Sequence, residues 1–182
     1  MKHDYAAQRL PITAFAQNQG TLAGEGKLGQ FGRLMELSQG QGATTPVFYL
    51  ARGEMRPDAA GRDQPWLFLS GHTTLALICQ RCLEPVDTPV AFDRSFRFVA
   101  TEELAAVEDE ESEEDVLVTS KAFDLPGLLE DELLLACPLV PMHNTCAQPV
   151  RWQAAEADFA EPVAEKPNPF AVLQQIRNPQ GE

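Results

Sequence analysis

The residues best suited to chemistry in this sequence are two cysteines separated by two positions, Cys79 and Cys82. A Cys-x-x-Cys turn directs both sulfurs to one point and is the commonest half of a tetrahedral zinc site. His143 and Cys146 supply the other half, with Cys137 as a spare. These residues predict a structural zinc site, without an open coordination position for a substrate. The candidate zinc ligands are Cys79, Cys82, His143 and Cys146.

Two other roles of the cysteines compete with zinc binding. Reduced thiols buried in the core are the plain alternative, because free cysteine is commonly buried. Thiol–disulfide exchange favours a cysteine at a helix N-terminus, whereas Cys79 ends a segment with a β pattern. The sequence has three histidines and no Gly-x-Ser-x-Gly, phosphate-loop or helical His-Glu motif, so no enzyme is predicted.

Two long strands must position the first cysteine pair. Apolar residues alternate from Trp66 to Cys79, and the alternation resumes from Val86 to Phe98, which predicts an antiparallel hairpin with the cysteines at its bend. Pro85 places the start of the second strand at an irregular or edge position. The three phenylalanines of that strand are explained by alternation as core residues: Phe92, Phe96 and Phe98.

A helix must deliver the second pair. Asp124 is the expected N-cap of a helix over 125–136, with Pro126 in the first turn and leucines along one face. A short strand, Val116–Val118, precedes it. Residues 102–115 are so densely acidic that a solvated, disordered loop is expected there.

The N-terminal part has weaker patterns. Leu10–Phe15 is expected to be a short edge strand because it contains Pro11. After a glycine-rich passage from Gly20 to Gly32, a short helix over 31–37 and a strand over 47–50 are predicted.

The predicted fold is α+β, an antiparallel sheet or partial barrel with a packed helix, an acidic loop and a C-terminal docking helix. Residues 1–152 form one domain, and 153–182 form a linker and a helical tail. In the tail Asn168 would cap a helix that starts at Pro169. Its apolar stripe includes Phe170 and Leu173, and a helix so short must dock on this domain or on a partner.

Charge and composition restrict the class of protein. The net charge is −13 at 182 residues, which opposes broad binding to nucleic-acid phosphates and favours a basic protein partner. The sequence shows neither a signal peptide nor an 18-residue apolar run, so a cytoplasmic location is expected, where cysteines stay reduced.

Several segments of the chain resemble the YceD family, the large ribosomal RNA subunit accumulation proteins. They are Cys79–Pro85, Glu130–Ala136, Pro138–His143 and Lys166–Leu173, in the family's order, and the Pro-Asn-Pro-Phe tail is the most specific. The resemblance implies a bacterial factor, not an enzyme, that supports accumulation of the large-subunit (23S) ribosomal RNA or assembly of that subunit. Many members carry more cysteines after the prolines, and Cys137 stands where an aliphatic residue is usual.

The predicted mode of action is therefore binding. The partner would be large-subunit ribosomal RNA or a basic ribosomal protein, with no membrane and no small-molecule substrate. The candidate binding residues are Arg81, Arg94 and Arg97 as a basic patch, and Asn168, Pro169, Phe170 and Leu173 in the tail. The alternative is a zinc-stabilised protein-interaction module without a ribosomal role.

Overall fold

The fold is built on one sheet of five strands in the order β1-β2-β3-β4-β5. A computed structural model describes residues 5–58, 61–110 and 112–147. The strands are β1 Thr21–Lys27, β2 Pro46–Pro57, β3 Asp63–Ile78, β4 Pro85–Val99 and β5 Asp115–Val118. Neighbouring strands are antiparallel except β4 and β5, which are parallel. The sheet is open and not closed into a barrel, and the predicted α+β class is confirmed.

The predicted hairpin is formed by β3 and β4, which pair from Trp66 opposite Arg97 to Ile78 opposite Pro85. Alternate residues of β3 are buried from Pro65 to Leu77, as period-two alternation requires when one sheet face is covered. β5 pairs with β4 only over 96–99. Among the described residues the first half of β4 is therefore an edge, which suits the prolines at 85 and 89.

Three helices border the covered face: α1 Ile12–Gln17, α2 Gly32–Leu37 and α4 Leu125–Leu135. The predicted N-cap of α4 is confirmed, because the Asp124 carboxylate accepts a hydrogen bond from Gly127 N at 3.2 Å. The helix buries Leu125, Leu129 and Leu133. It approaches the sheet closely at Gly71, where an added Cβ would lie 2.6 Å from a methyl carbon of Leu129.

One expectation for the N-terminal part was wrong, and one strand there was not predicted. Leu10 makes only an isolated bridge with Phe123, and the segment after Pro11 is helix α1, not an edge strand. The reason is that Ile12, Phe15 and Ala16, at helical spacing, are all buried. The glycine-rich passage contains β1, which the sequence did not reveal. A Cβ at Gly24 would lie 2.5 Å from the Tyr49 hydroxyl, so glycine permits the close approach of the two strands.

The acidic segment was predicted to be a disordered loop, and this was wrong for its first half. Residues 102–109 form helix α3, which is capped by the Thr101 hydroxyl accepting from Leu104 N at 3.3 Å. Ala105 is buried with Val99, and Glu108 forms an ion pair with Arg97. The groups that stabilise α3 against repulsion between its carboxylates therefore lie outside the acidic run: the Thr101 cap, and Arg97 and Val99 of β4.

No helix in the described part of the chain is long and apolar enough to span a membrane. The linker and tail predicted for 153–182 lie outside the described residues, and so do the last residues of the predicted 1–152 domain.

Candidate metal centre

The first pair of candidate ligands is placed by the turn between β3 and β4. Cys79 N donates to Glu84 O at 2.9 Å, and Leu83 N donates to Cys79 O at 2.8 Å, so the chain reverses within six residues. The turn requires a left-handed backbone at Leu83, whose φ is 62°. Cys79 is fully buried and Cys82 is half-buried, so the turn presents both thiols on the side facing the rest of the domain.

The second pair is placed by the segment that follows α4. Pro138 and Pro141 prevent the helix from continuing, and the extended chain is anchored where Gln80 N donates to Pro141 O at 2.9 Å. His143 N then donates to the Cys79 sulfur at 3.4 Å. The helix end thus returns to the hairpin turn and brings His143 and Cys146 beside the first two cysteines.

The four candidate side chains form one cluster. Their ligand atoms, the three sulfurs and one imidazole nitrogen, all lie within 4.8 Å of one another. The Cys79 and Cys146 sulfurs are 3.9 Å apart, and the Cys82 sulfur is 3.3 Å from Nδ1 of His143. A tetrahedral zinc ion with Zn–S of about 2.3 Å and Zn–N of about 2.0 Å requires edges of about 3.8 Å and about 3.6 Å. The donor set and its spacing therefore fit a divalent cation such as zinc.

The cluster favours ionisation of the Cys79 thiol over that of the Cys146 thiol. Burial opposes ionisation of Cys79, but hydrogen bonds from the backbone of Cys82, His143 and Arg81 outweigh it and lower the pKa of Cys79 to about 5. Burial, together with the neighbouring sulfurs of Cys82 and Cys79, raises the pKa of Cys146 to about 11. Burial is the largest cause of the Cys146 shift, and the neighbouring sulfurs add to it. A bound cation would allow all three cysteines to ionise.

Cys137, the spare ligand of the sequence analysis, does not belong to the cluster. Its thiol donates to Leu133 O at 3.2 Å, one turn back along α4, and it packs among the core residues at the helix end. Burial raises the pKa of the Cys137 thiol. It is therefore a buried thiol of the helix end.

The three arginines proposed as a basic patch are not brought together. Arg81 lies in the cysteine turn, 3.9 Å from the Met142 sulfur. Arg94 is paired opposite Leu69, nine residues back from the end of β3, which is about 30 Å along the strand. It forms an ion pair with Asp115 at 2.5 Å. Arg97 lies still further from the turn.

The predicted core role of the phenylalanines is confirmed, since Phe96 and Phe98 are each 1% exposed and Phe92 packs against the core. The candidate tail residues Asn168, Pro169, Phe170 and Leu173 lie outside the described residues.

The sequence analysis did not identify a group of arginines and aromatic rings on the outer face of β2 and β3. The signal for this group was in the even-numbered residues of the two alternating strands, because the register places Arg52, Arg56, Trp66 and Phe68 on one face.

The described domain thus defines a class: an open α+β sheet whose central hairpin turn and helix end meet in a Cys3His cluster. A family model described as large ribosomal RNA subunit accumulation protein YceD matches residues 69–177, which begins inside β3 and includes all four cluster residues. The chain belongs to this family.

One relative is the Haemophilus influenzae protein named large ribosomal RNA subunit accumulation protein YceD, which is 38% identical over 104 residues. That alignment covers 56% of this chain and 59% of the relative. No solved structure matches the chain. The names concern a ribosomal RNA and not an enzymatic reaction.

Proposed function

We propose that this protein supports accumulation or assembly of the large ribosomal subunit by binding, without catalysis. The observation that carries the proposal is the family match over residues 69–177, joined by the name of the Haemophilus relative. The direct partner is large-subunit ribosomal RNA or a basic ribosomal protein, and the acidic net charge of −13 suits the latter. A cytoplasmic location, where ribosomes are assembled, is part of the same proposal.

Depletion of the protein in its own cell tests the role directly. We expect the ratio of large-subunit to small-subunit ribosomal RNA to fall, and re-expression of the intact chain to restore it. An unchanged ratio after complete depletion would contradict the proposed role.

Recovery of bound partners with and without nuclease then separates the two partner classes. Large-subunit RNA that disappears with nuclease and leaves no protein indicates direct RNA binding. A basic ribosomal protein that survives nuclease but is lost when residues 168–176 are deleted indicates protein binding through the tail. If neither component is recovered under either condition, the ribosomal role is contradicted.

The Cys3His cluster is proposed to hold one structural zinc ion. The 3.9 Å and 3.3 Å edges of the cluster support it. All four ligands lie in the turn after β3 or in the loop after α4, outside the regular elements. When bound, zinc would supply a cross-link between the hairpin turn and the end of α4. The chain's own contribution is to hold the four donor atoms within 4.8 Å of one another.

Metal content of the purified protein tests the zinc proposal. We expect one zinc per chain, and loss of that zinc in Cys146→Ser. Cys137→Ser is the matched control, because that thiol lies outside the cluster and its replacement should leave one zinc bound. Replacement of zinc by Co²⁺ should give the absorption of a tetrahedral thiolate site. Full zinc content in Cys146→Ser, or none in the intact chain purified with zinc present, would overturn the assignment.

The second candidate function is a zinc-stabilised protein-interaction module without a ribosomal role. It is favoured by the exposed apolar side chains beside the cluster, Leu83, Leu139 and Met142, which are 72%, 98% and 48% exposed. Such a patch is typical of a protein contact. An unchanged ribosomal RNA ratio on depletion, with stable capture of a non-ribosomal protein, would establish it instead.

A further inference from the structure

The outer face of β2 and β3 carries aromatic rings that no described helix covers. The described helices contact these strands on the opposite face, through Phe15 at Gly53 and Leu129 at Gly71. On the outer face Trp66 and Phe68 stack with ring centroids 6.3 Å apart and planes at 15°. Both rings are half-buried, so part of each remains open to solvent.

A second ring pair extends the same face. Phe48 stacks on His72 across the strands, with centroids 5.0 Å apart and planes at 23°. Phe48 is 37% exposed and His72 is also exposed. His72 lies four residues after Phe68, about 13 Å along β3. The face therefore presents two stacked pairs in line along one strand direction.

Two arginines lie over the first ring pair. The Arg56 guanidinium carbon is 5.2 Å from the Trp66 ring centre and 4.6 Å from that of Phe68. The Arg52 guanidinium carbon is 5.7 Å from the Phe68 ring centre. Such cation–π contacts hold the guanidinium groups against the aromatic rings. Planar guanidinium groups and aromatic rings are both surfaces on which nucleic-acid bases stack.

The charges around these rings leave one cation available. Arg56 forms an ion pair with Glu54 at 3.3 Å, and Arg97, opposite Trp66 in the ladder, is paired with Glu108. Arg52 has no carboxylate partner among the described residues. An acidic protein thus presents, on one face, partly exposed rings with one cation, Arg52, that has no carboxylate partner among the described residues. A phosphate is the charge that complements Arg52. Two exposed acidic residues of the same face, Glu25 opposite Phe48 and Asp93 opposite Ser70, lie on the flanking strands.

We propose that the outer face of β2 and β3, built from Phe48, Arg52, Arg56, Trp66, Phe68 and His72, binds a short single-stranded RNA segment by base stacking. We name these six residues the stacking face. The rings would take the bases, and Arg52 would contact a phosphate. The choice of RNA over DNA rests on the proposed ribosomal function, whereas the assignment of this face as a base-stacking surface does not. With so few cations, binding is short-range and weakly salt-dependent, in contrast to a basic groove.

Fluorescence anisotropy of the full chain with labelled twelve-nucleotide oligoadenylate and oligouridylate RNA tests the proposal. We expect binding at 50 mM salt, with log K falling against log salt by about 0.7 for each phosphate contacted. Phe68→Leu, which keeps an apolar side chain but removes a ring, should weaken binding about fivefold or more. Arg52→Gln should reduce the salt slope by about 0.7.

Matched controls separate stacking from apolar burial and from general charge. Leu50 lies on the same face and is 39% exposed but has no ring, so Leu50→Ala should leave RNA binding unchanged. Lys121, exposed in the loop before α4, controls for Arg52 through Lys121→Gln. In a Trp152→Phe background Trp66 is the single tryptophan, and its fluorescence should be quenched to saturation by oligoadenylate. Thermal unfolding and zinc content verify that each variant is folded.

The following results would each overturn the proposal. The proposal fails if neither RNA binds at protein concentrations up to about 100 µM, the range of weak non-specific complexes. This holds even if depletion in the cell still lowers the amount of large-subunit ribosomal RNA. In that case the proposed function stands and acts through another surface. Binding that leaves Trp66 fluorescence unchanged places the RNA elsewhere. Equal loss of RNA binding in Leu50→Ala and Phe68→Leu would mean apolar burial instead of ring stacking. Capture of a nuclease-resistant basic protein by this face would make it a protein-contact surface.

Discussion

The contact between α4 and β3 at Gly71 gives a quantitative test of how the helix is seated. A Cβ added by Gly71→Ala would lie 2.6 Å from a methyl carbon of Leu129 and 2.8 Å from the Phe92 ring. Ordinary carbon contacts are about 3.5–4.0 Å, so each neighbour must move by about 1 Å. Overpacking of this kind costs about 1–3 kcal/mol. The reduced entropy of the unfolded chain offsets about 0.4–1 kcal/mol of it.

We therefore expect Gly71→Ala to lower the free energy of unfolding by about 1–2 kcal/mol, measured by urea unfolding with an unchanged m-value. The control is Gly32→Ala, since no atom lies within 4 Å of a Cβ at Gly32. In the first turn of α2 this substitution should be neutral or stabilise by up to about 1 kcal/mol.

A double-mutant cycle identifies the cause. Leu129 is 1% exposed, so Leu129→Ala alone should cost about 2–5 kcal/mol. Because the shortened side chain removes the 2.6 Å contact but leaves the 2.8 Å contact with the Phe92 ring, Gly71→Ala should cost less in that background, with a coupling of about 1 kcal/mol. Additive losses, or a Gly71→Ala protein as stable as the parent, would refute the proposed close contact between α4 and the sheet.

Three further outcomes are expected from side chains near α4 and the cysteine turn. Glu130→Ala should destabilise the fold by about 1–2 kcal/mol, because the Glu130 carboxylate caps α2 by accepting the N–H groups of residues 33 and 34 at 2.7 Å and 3.2 Å. The neighbouring Asp131→Ala removes only an exposed ion pair. It should cost less than about 1 kcal/mol in the same urea assay. Burial raises the pKa of Glu132, so its charge destabilises the fold above that pKa. Glu132→Gln should raise the unfolding midpoint at pH 7.5, with a smaller gain as the pH falls through that pKa; an equal gain at every pH would contradict this. Leu83→Gly should stabilise by up to about 1 kcal/mol through relief of the left-handed backbone, and a loss of stability would show that the leucine side chain is needed.

The elements predicted correctly from the sequence are those with complete local signals. The β3–β4 hairpin has period-two alternation on both strands and a Cys-x-x-Cys turn between them, all within about thirty residues of sequence. Helix α4 has its N-cap at Asp124, a proline in its first turn and a leucine face. Nothing distant is needed to decide either element.

The elements predicted wrongly depend on distant partners. The acidic run becomes helix α3 because Arg97 on β4 offsets the charge of Glu108 and Val99 covers Ala105. Strand β1 forms in a glycine-rich passage because Tyr49 on β2 occupies the space above Gly24. Neither interaction has a signature within the segment itself. The parallel pairing of β5 was likewise invisible, since it depends on a chain crossing rather than on local period.

The candidate site shows the same division. Spacing identifies Cys79 and Cys82 as one half-site and His143 with Cys146 as the other, but it leaves Cys137 as a spare ligand. The exclusion of Cys137 depends on the end of α4, where its thiol turns back to bond with Leu133 O. The three arginines of the predicted basic patch are close in residue number but far apart in space. The reason is that the sixteen-residue strand β3 separates the turn from the opposite end of the hairpin.

Strand β3 links the Cys3His cluster to the stacking face. Its odd residues form the buried side, its even residues include Trp66, Phe68 and His72 of the stacking face, and Cys79 continues the buried side into the turn. A one-residue slip of the β3–β4 register would exchange the two sides, placing the rings in the core and Cys79 in solvent. A cation held by Cys79 and Cys146 would oppose that slip, because the turn would be tied to α4, which is itself seated against Gly71. The cluster therefore has a structural reason to lie at the turn even though the proposed RNA surface begins several residues away: it fixes which side of the strand faces solvent.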